Sequence, residues 1–215
     1  MGKAFSSVIL FFCVAMTACG QTEQRTSASI PYDSLRTELE KIYDTDQAVR
    51  EGFDNVKEED QNAFFRKMQQ VDSVNQIQVL TILQQYGWLP KSKIGEKAAD
   101  GLFLVVQHAP ASVIRKYLPA LKRMAQQGEA STTDAAMMED QMLMFDAKKQ
   151  IYGTQATSMG REDGRMVIWP IEDSKHVNER RKAAGFPDTV EENAKRLNAI
   201  YHPEEALPKK KHVFH

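Results

Sequence analysis

The chain has 215 residues, 42% of them hydrophobic and 27% charged, and a formal net charge of −1. That length suits one domain with a real core and leaves no room for two large ones. The near-neutral balance excludes the strongly basic surface that nucleic acid would recruit, so no nucleic-acid partner is expected.

The first eighteen residues differ from the rest. Lys3 is followed by the apolar run AFSSVILFFCVAM, too short to remain as a bilayer span, and residues 1–18 read as an export signal. The run ends in MTACG, whose Thr17 and Ala18 before Cys19 resemble the lipobox of bacterial lipoproteins. The resemblance implies that Cys19 is lipidated, becomes the first mature residue and anchors the protein to a membrane of the bacterial cell envelope. An ordinary signal peptide cleaved nearby is the alternative. Cys13 falls inside the signal, so Cys19 would be the one mature cysteine, without a partner for a disulfide and with no companion for a metal site. Residues 19–31 are small and polar and read as a flexible tether to a helical domain over 32–202.

Within that domain, Asp33 is a candidate N-cap for a helix to Phe53, with Leu35, Leu39, Ile42, Tyr43, Val49 and Phe53 at helical spacing. A second helical stretch runs from about Asp60 to Tyr86, with a possible interruption before Asp72. Its apolar residues Phe64, Phe65, Met68, Val71, Val74, Ile77, Leu80 and Leu83 lie on or near one stripe, and Gly87 ends it. Glu96 to Ala109 is apolar on more than one face after Asp100, which predicts a helix in the middle of a bundle. Pro110 opens another segment, which Pro119 is positioned to break and Gly128 closes. Ser131 or Asp134 caps a methionine-rich helix from there to about Lys149.

The pattern then changes. QIYGTQATS and RMVIWPI carry alternating or β-branched residues around MGREDG, which predicts a hairpin near 149–171 packed through Ile151, Val167, Ile168 and Trp169. Ser174 is expected to cap a short helix ending near Gly185, and Asp188 with Glu191 to form a capping box for the next. Residues 203–215 read as a basic, disordered tail. The expected fold is therefore mainly α: a single helical domain of about six to eight helices with one β-hairpin.

GWLP, QHAP, QIYGTQ, IED and RRKAAG, with DTDQAVR upstream, resemble the motifs of a bacterial domain-of-unknown-function family, family 6624. Its members carry G-W-P, Q-H-A-D, Q-x-Y-G-T-Q and D-Q-x-x-R elements. The likeness runs from about Tyr43 to Tyr201, with three departures: Leu89 is inserted between Trp88 and Pro90, Pro110 replaces the acid after Ala109, and Gln141 follows Asp140 in place of Arg. It implies a shared architecture and a shared site without naming a substrate.

Gln107 and His108 end an apolar helix, where an unpaired amide or imidazole would cost on the order of 1–3 kcal/mol. They must be paired or line a wet cleft. His108 is the candidate acid or base, with Asp46 or Asp146 to orient it; the alternative is a core histidine bonded to a neighbouring helix end. Gln150, Tyr152, Thr154 and Gln155 are suited to hold a polar ligand, or else to cap helix ends beneath the hairpin. Arg50, four residues after Asp46, and Arg180 could join them, and of Arg180 and Arg181 at most one is expected to face a given site. The five histidines form no compact ligand pattern, so neither metal nor cofactor is expected. Nucleotide, NAD and serine-hydrolase fingerprints are missing. Two functions stay open: recognition of an unknown polar ligand or envelope protein in a cleft between His108 and the Tyr152 hairpin, and hydrolysis with His108 as acid or base.

Overall fold

A computed structural model describes residues 29–52, 56–159, 161 and 163–208. The signal, Cys19, most of the tether, Phe53, Gly160 and the Lys209–Lys211 run lie outside the described residues. Pro31–His215 clusters as one compact unit. Among the described residues are eight α-helices and one two-stranded antiparallel hairpin, as expected.

The first helix, α1 (Tyr32–Arg50), buries Leu35, Leu39, Ile42, Asp46 and Val49, a single stripe at helical spacing. Pro31 precedes it, so Asp33 lies in the first turn and caps nothing. Helix α2 (Gln61–Tyr86) is continuous past Asp72 and ends at Gly87, whose φ of 74° favours glycine. Its inner face is not the apolar stripe read from the sequence. Asn75, Val79, Ile82 and Leu83 are buried, while Phe65, Val74 and Ile77 are exposed. The helix is turned so that Asp72 and Asn75, three residues apart, share the inward side.

After the turn α3 (Lys91–Ile94), α4 (Glu96–Gln107) is central, with Leu102 and Val106 wholly buried and contacts to α1, α2, α3 and α5. Gly101 permits its close approach to α1: a Cβ there would stand 2.6 Å from the Leu39 carbonyl oxygen. Helix α5 (Ala111–Gln126) runs unbroken through Pro119, which is exposed. Ser131 caps α6 (Thr132–Phe145) by accepting from the Asp134 amide.

The hairpin is shorter than its sequence pattern. Strands β1 (Ala156–Thr157) and β2 (Val167–Ile168) pair Ala156 with Ile168 and Thr157 with Val167. Between Gln150, which bridges Ile171, and Gln155, which accepts from the Trp169 amide, the expected strand gives way to a turn because the amides of Ile151, Tyr152 and Thr154 bond to a carboxylate. Below the hairpin, Ile168 and Ile171 pack with Val177 of α7 (Val177–Ala184) and with Val190 and Ala194 of α8 (Val190–Arg196). A one-turn 3-10 helix, Ser174–His176, precedes α7, and Ser174 caps neither. The capping box of α8 is Thr189 with Glu192, one residue later than expected. Asp188 is free of that role and receives Arg181.

Candidate functional site

The residues singled out in the sequence fall into two groups in space. The first surrounds Asp140, a wholly buried acid on α6. Its carboxylate accepts from the amides of Ile151 at 2.7 Å, Tyr152 at 3.1 Å and Thr154 at 3.1 Å, and from the Thr154 hydroxyl at 3.0 Å. Burial pushes its pKa up, opposed by those amides and the hydroxyl. Gln150, also wholly buried, donates to the carbonyls of Gln155 and Trp169 and accepts from the Gln155 amide. Arg180 donates to the Ile151 and Glu172 carbonyls, and Arg181 to the Tyr152 and Asp188 carbonyls. Both arginines thus bind the same turn, against the expectation that only one could.

Gly153 has φ +71°, and a Cβ there would lie 2.6 Å from Val190 Cγ2. The motif therefore encodes a turn wrapped on a buried acid and pinned by two arginines. Gln150 and Thr154 have their hydrogen-bonding atoms engaged within it. Tyr152 is half-buried, tilted against the Phe186 ring at 6.1 Å. With Glu139, Lys122 and Thr132 it lines a pocket of about 230 Å³ whose walls do not include His108. The expected cleft between His108 and the Tyr152 hairpin is not formed there.

The second group stands where α1, α2 and the end of α4 meet. Arg50, the last residue of α1, is its hub. Arg50 Nη2 donates to Asp72 Oδ1 at 2.7 Å and lies 2.8 Å from His108 Nδ1; Nη1 donates to the Asp46 carbonyl and lies 2.9 Å from Asp46 Oδ1. Asp46 Oδ1 is 3.5 Å from His108 Nδ1, and Asp46 Oδ2 accepts from Gln47. A guanidinium can only donate, so Nδ1 must accept and the neutral ring carries its proton on Nε2. Among the described residues nothing bonds to Nε2. Asp46 is 1% exposed, yet its Oδ1 accepts no aligned hydrogen bond despite the ion contact with Arg50. Burial raises its pKa, but the Arg50 guanidinium and Gln47, joined by His108 whenever its ring turns a proton to the carboxylate, outweigh that and hold it below the ordinary value.

His108 itself is exposed, at the C-cap of α4. Gln107 contributes its carbonyl, which accepts from Gln141 of α6 at 3.0 Å; the Gln141 Oε1 is buried without a partner. Asp146, the other acid considered for His108, is engaged by Arg115 at 2.6 Å and by Lys148, leaving Asp46 as the carboxylate at the ring. Asp72 was not singled out in the sequence. Its signal was its spacing from Asn75 on one helix face, masked by the apolar stripe through Val71 and Val74.

The pattern model of a family of unknown function matches residues 33–204, most of the chain. No curated protein and no solved structure matches it.

Proposed function

The chain belongs to the family of unknown function DUF6624, and from that premise we propose that its working site is the Asp46, Arg50, Asp72 and His108 cluster, which binds a polar ligand. The observation that carries this reading is the junction itself. The D-Q-x-x-R element of α1 and the Q-H element of α4, 58 residues apart for Arg50 and His108, meet at an exposed ring beside a buried carboxylate. The Q-x-Y-G-T-Q element, by contrast, is consumed by its own turn.

Hydrolysis with His108 as base is the second reading, supported by the 3.5 Å approach of Asp46. Base chemistry at Nε2 requires the ring proton on Nδ1, and Arg50 occupies that side. Recognition needs no such rearrangement: Nε2–H is already a donor. The lipobox-like Cys19 adds the remainder of the proposal, a lipid-anchored protein of the bacterial cell envelope, with an envelope protein as the other class of partner. No described helix is long and apolar enough to cross a membrane.

The test is NMR of the His108 ring while amino acids, dipeptides, sugars and organic acids are added to the whole protein. Some class of these is expected to shift the ring signals, and Asp46→Asn to abolish the response. Ligands that perturb Tyr152 and leave His108 untouched would move the site to the hairpin pocket. Turnover of the bound ligand that disappears with His108→Ala would favour hydrolysis.

A further inference from the structure

We propose that Asp46, Asp72 and His108 form a binding site for a divalent first-row cation such as Zn2+, with Arg50 as the internal cation that competes for the same atoms. The inference rests on the site assigned above and names the ligand class it takes.

Three observations carry it. One carboxylate oxygen from Asp46, one from Asp72 and one ring nitrogen from His108 all lie within 4.8 Å of one another, contributed by α1, α2 and α4. Bonds of about 2.0–2.2 Å to one ion would place such atoms roughly 3 Å apart, so Asp46 Oδ1 and His108 Nδ1, at 3.5 Å, are close to that spacing. Asp72 and His108 are both partly exposed and have room to close the remainder.

Chemistry points the same way. The Asp46 Oδ1 is buried, aimed into the cluster and without an aligned hydrogen bond. The Nδ1 lone pair faces Arg50 Nη2, with Asp46 Oδ1 beside it, so the neutral ring is in the tautomer a metal needs once Arg50 gives way. Two carboxylates against one guanidinium leave one negative charge over. A divalent ion that displaces Arg50 toward solvent neutralises both acids, and Gln47 on Asp46 Oδ2 supplies the outer hydrogen bond that orients a ligand carboxylate. One imidazole and two carboxylates suit Zn2+ or Mn2+, and three protein ligands leave coordination positions for a substrate or water. Local ligand spacing gave no hint of this, because each ligand comes from a different helix.

The experiment is titration of the whole protein with Zn2+, read by calorimetry and by the His108 ring signals, and with Mn2+, read by paramagnetic broadening of the same signals. His176, His202, His212 and His215 can also take up metal, so the His108 signals are the deciding readout. One Zn2+ is expected at His108, with affinity reduced at least about tenfold by His108→Ala or Asp72→Asn. Arg50→Gln, which removes the competitor, is expected to tighten Zn2+ by about tenfold. His108 and Asp72 are not wholly buried, so those variants keep the result readable should Arg50→Gln fold poorly. Zn2+ and Mn2+ that leave the His108 signals unchanged in the wild-type protein, or an affinity that His108→Ala does not alter, would overturn the metal site. If small polar molecules still shift His108 while metals do not, the binding site stands and the cation is wrong; if neither does, both are wrong.

Discussion

Asp140→Asn preserves shape while exchanging an acceptor for an NH2 group that must face backbone N–H groups and the Thr154 hydroxyl. Leaving such buried donors unanswered costs about 3 kcal/mol, expected as a fall in the melting temperature with the hairpin amides losing hydrogen-exchange protection first. His108→Ala should behave in the opposite way. The ring is exposed, so its removal should change stability by less than about 1 kcal/mol in urea titration, whereas a core histidine would cost several times that. At this scale the sequence was legible where a motif named a residue: Asp46, Arg50 and His108 do meet. It was not legible where a polar residue was disguised by its surroundings. Asp140 sits in a methionine-rich run and Asp72 beside the apolar stripe through Val71 and Val74, so the periodic reading passed over one acid in each cluster.

Helix packing is most exposed to challenge at Gly101. Its missing side chain sets the distance between α1 and α4, and Gly101→Ala would press a Cβ against the Leu39 carbonyl and Tyr43. Overpacking of this kind costs about 1–3 kcal/mol. Because α1 carries Asp46 and Arg50 and α4 ends at His108, the same variant should weaken ligand binding at the cluster, measurable beside the loss in urea midpoint. Helix number and order could be read from periodicity and caps, since Gly87, Ser131 and Gly185 each end or start an element in the expected way. Two element-scale readings failed for tertiary reasons. The face of α2 was chosen by counting apolar residues, yet the fold spends that face on Asp72 and Asn75. Half of the expected hairpin became a turn because Asp140, far from any strand pattern, captured its amides.

Across the whole molecule, two acids give stability opposite dependences on pH. Burial, only partly countered by Ser131, pushes the Asp134 carboxyl up to about 6 from an ordinary 3.8. Between those values the folded chain holds a proton that the unfolded chain has lost, so this contribution declines as pH rises from about 4 to 6, by on the order of 1–2 kcal/mol for a half-buried group. Asp134→Asn, neutral throughout, should flatten that decline in a melting series. Asp46 is held below its ordinary value, so its contribution is present above that value and disappears as pH falls through the lower folded one. Asp46→Asn should therefore remove part of the steep acid limb and leave the decline near pH 5 intact.

A hydrogen bond from Gln141 to the Gln107 carbonyl joins the two polar centres, since Gln141 follows Asp140 and Gln107 precedes His108. It acts as a strut between the Asp140 turn and the end of α4 that carries His108. The turn before the hairpin supplies no atom to the Asp46 cluster, yet it holds Asp140, whose neighbour Gln141 reaches the end of α4. Damage to the strut should thus be heard at a distance: Gln141→Ala would release the terminal turn of α4 and shift the His108 ring signals while every residue that touches a ligand stays in place.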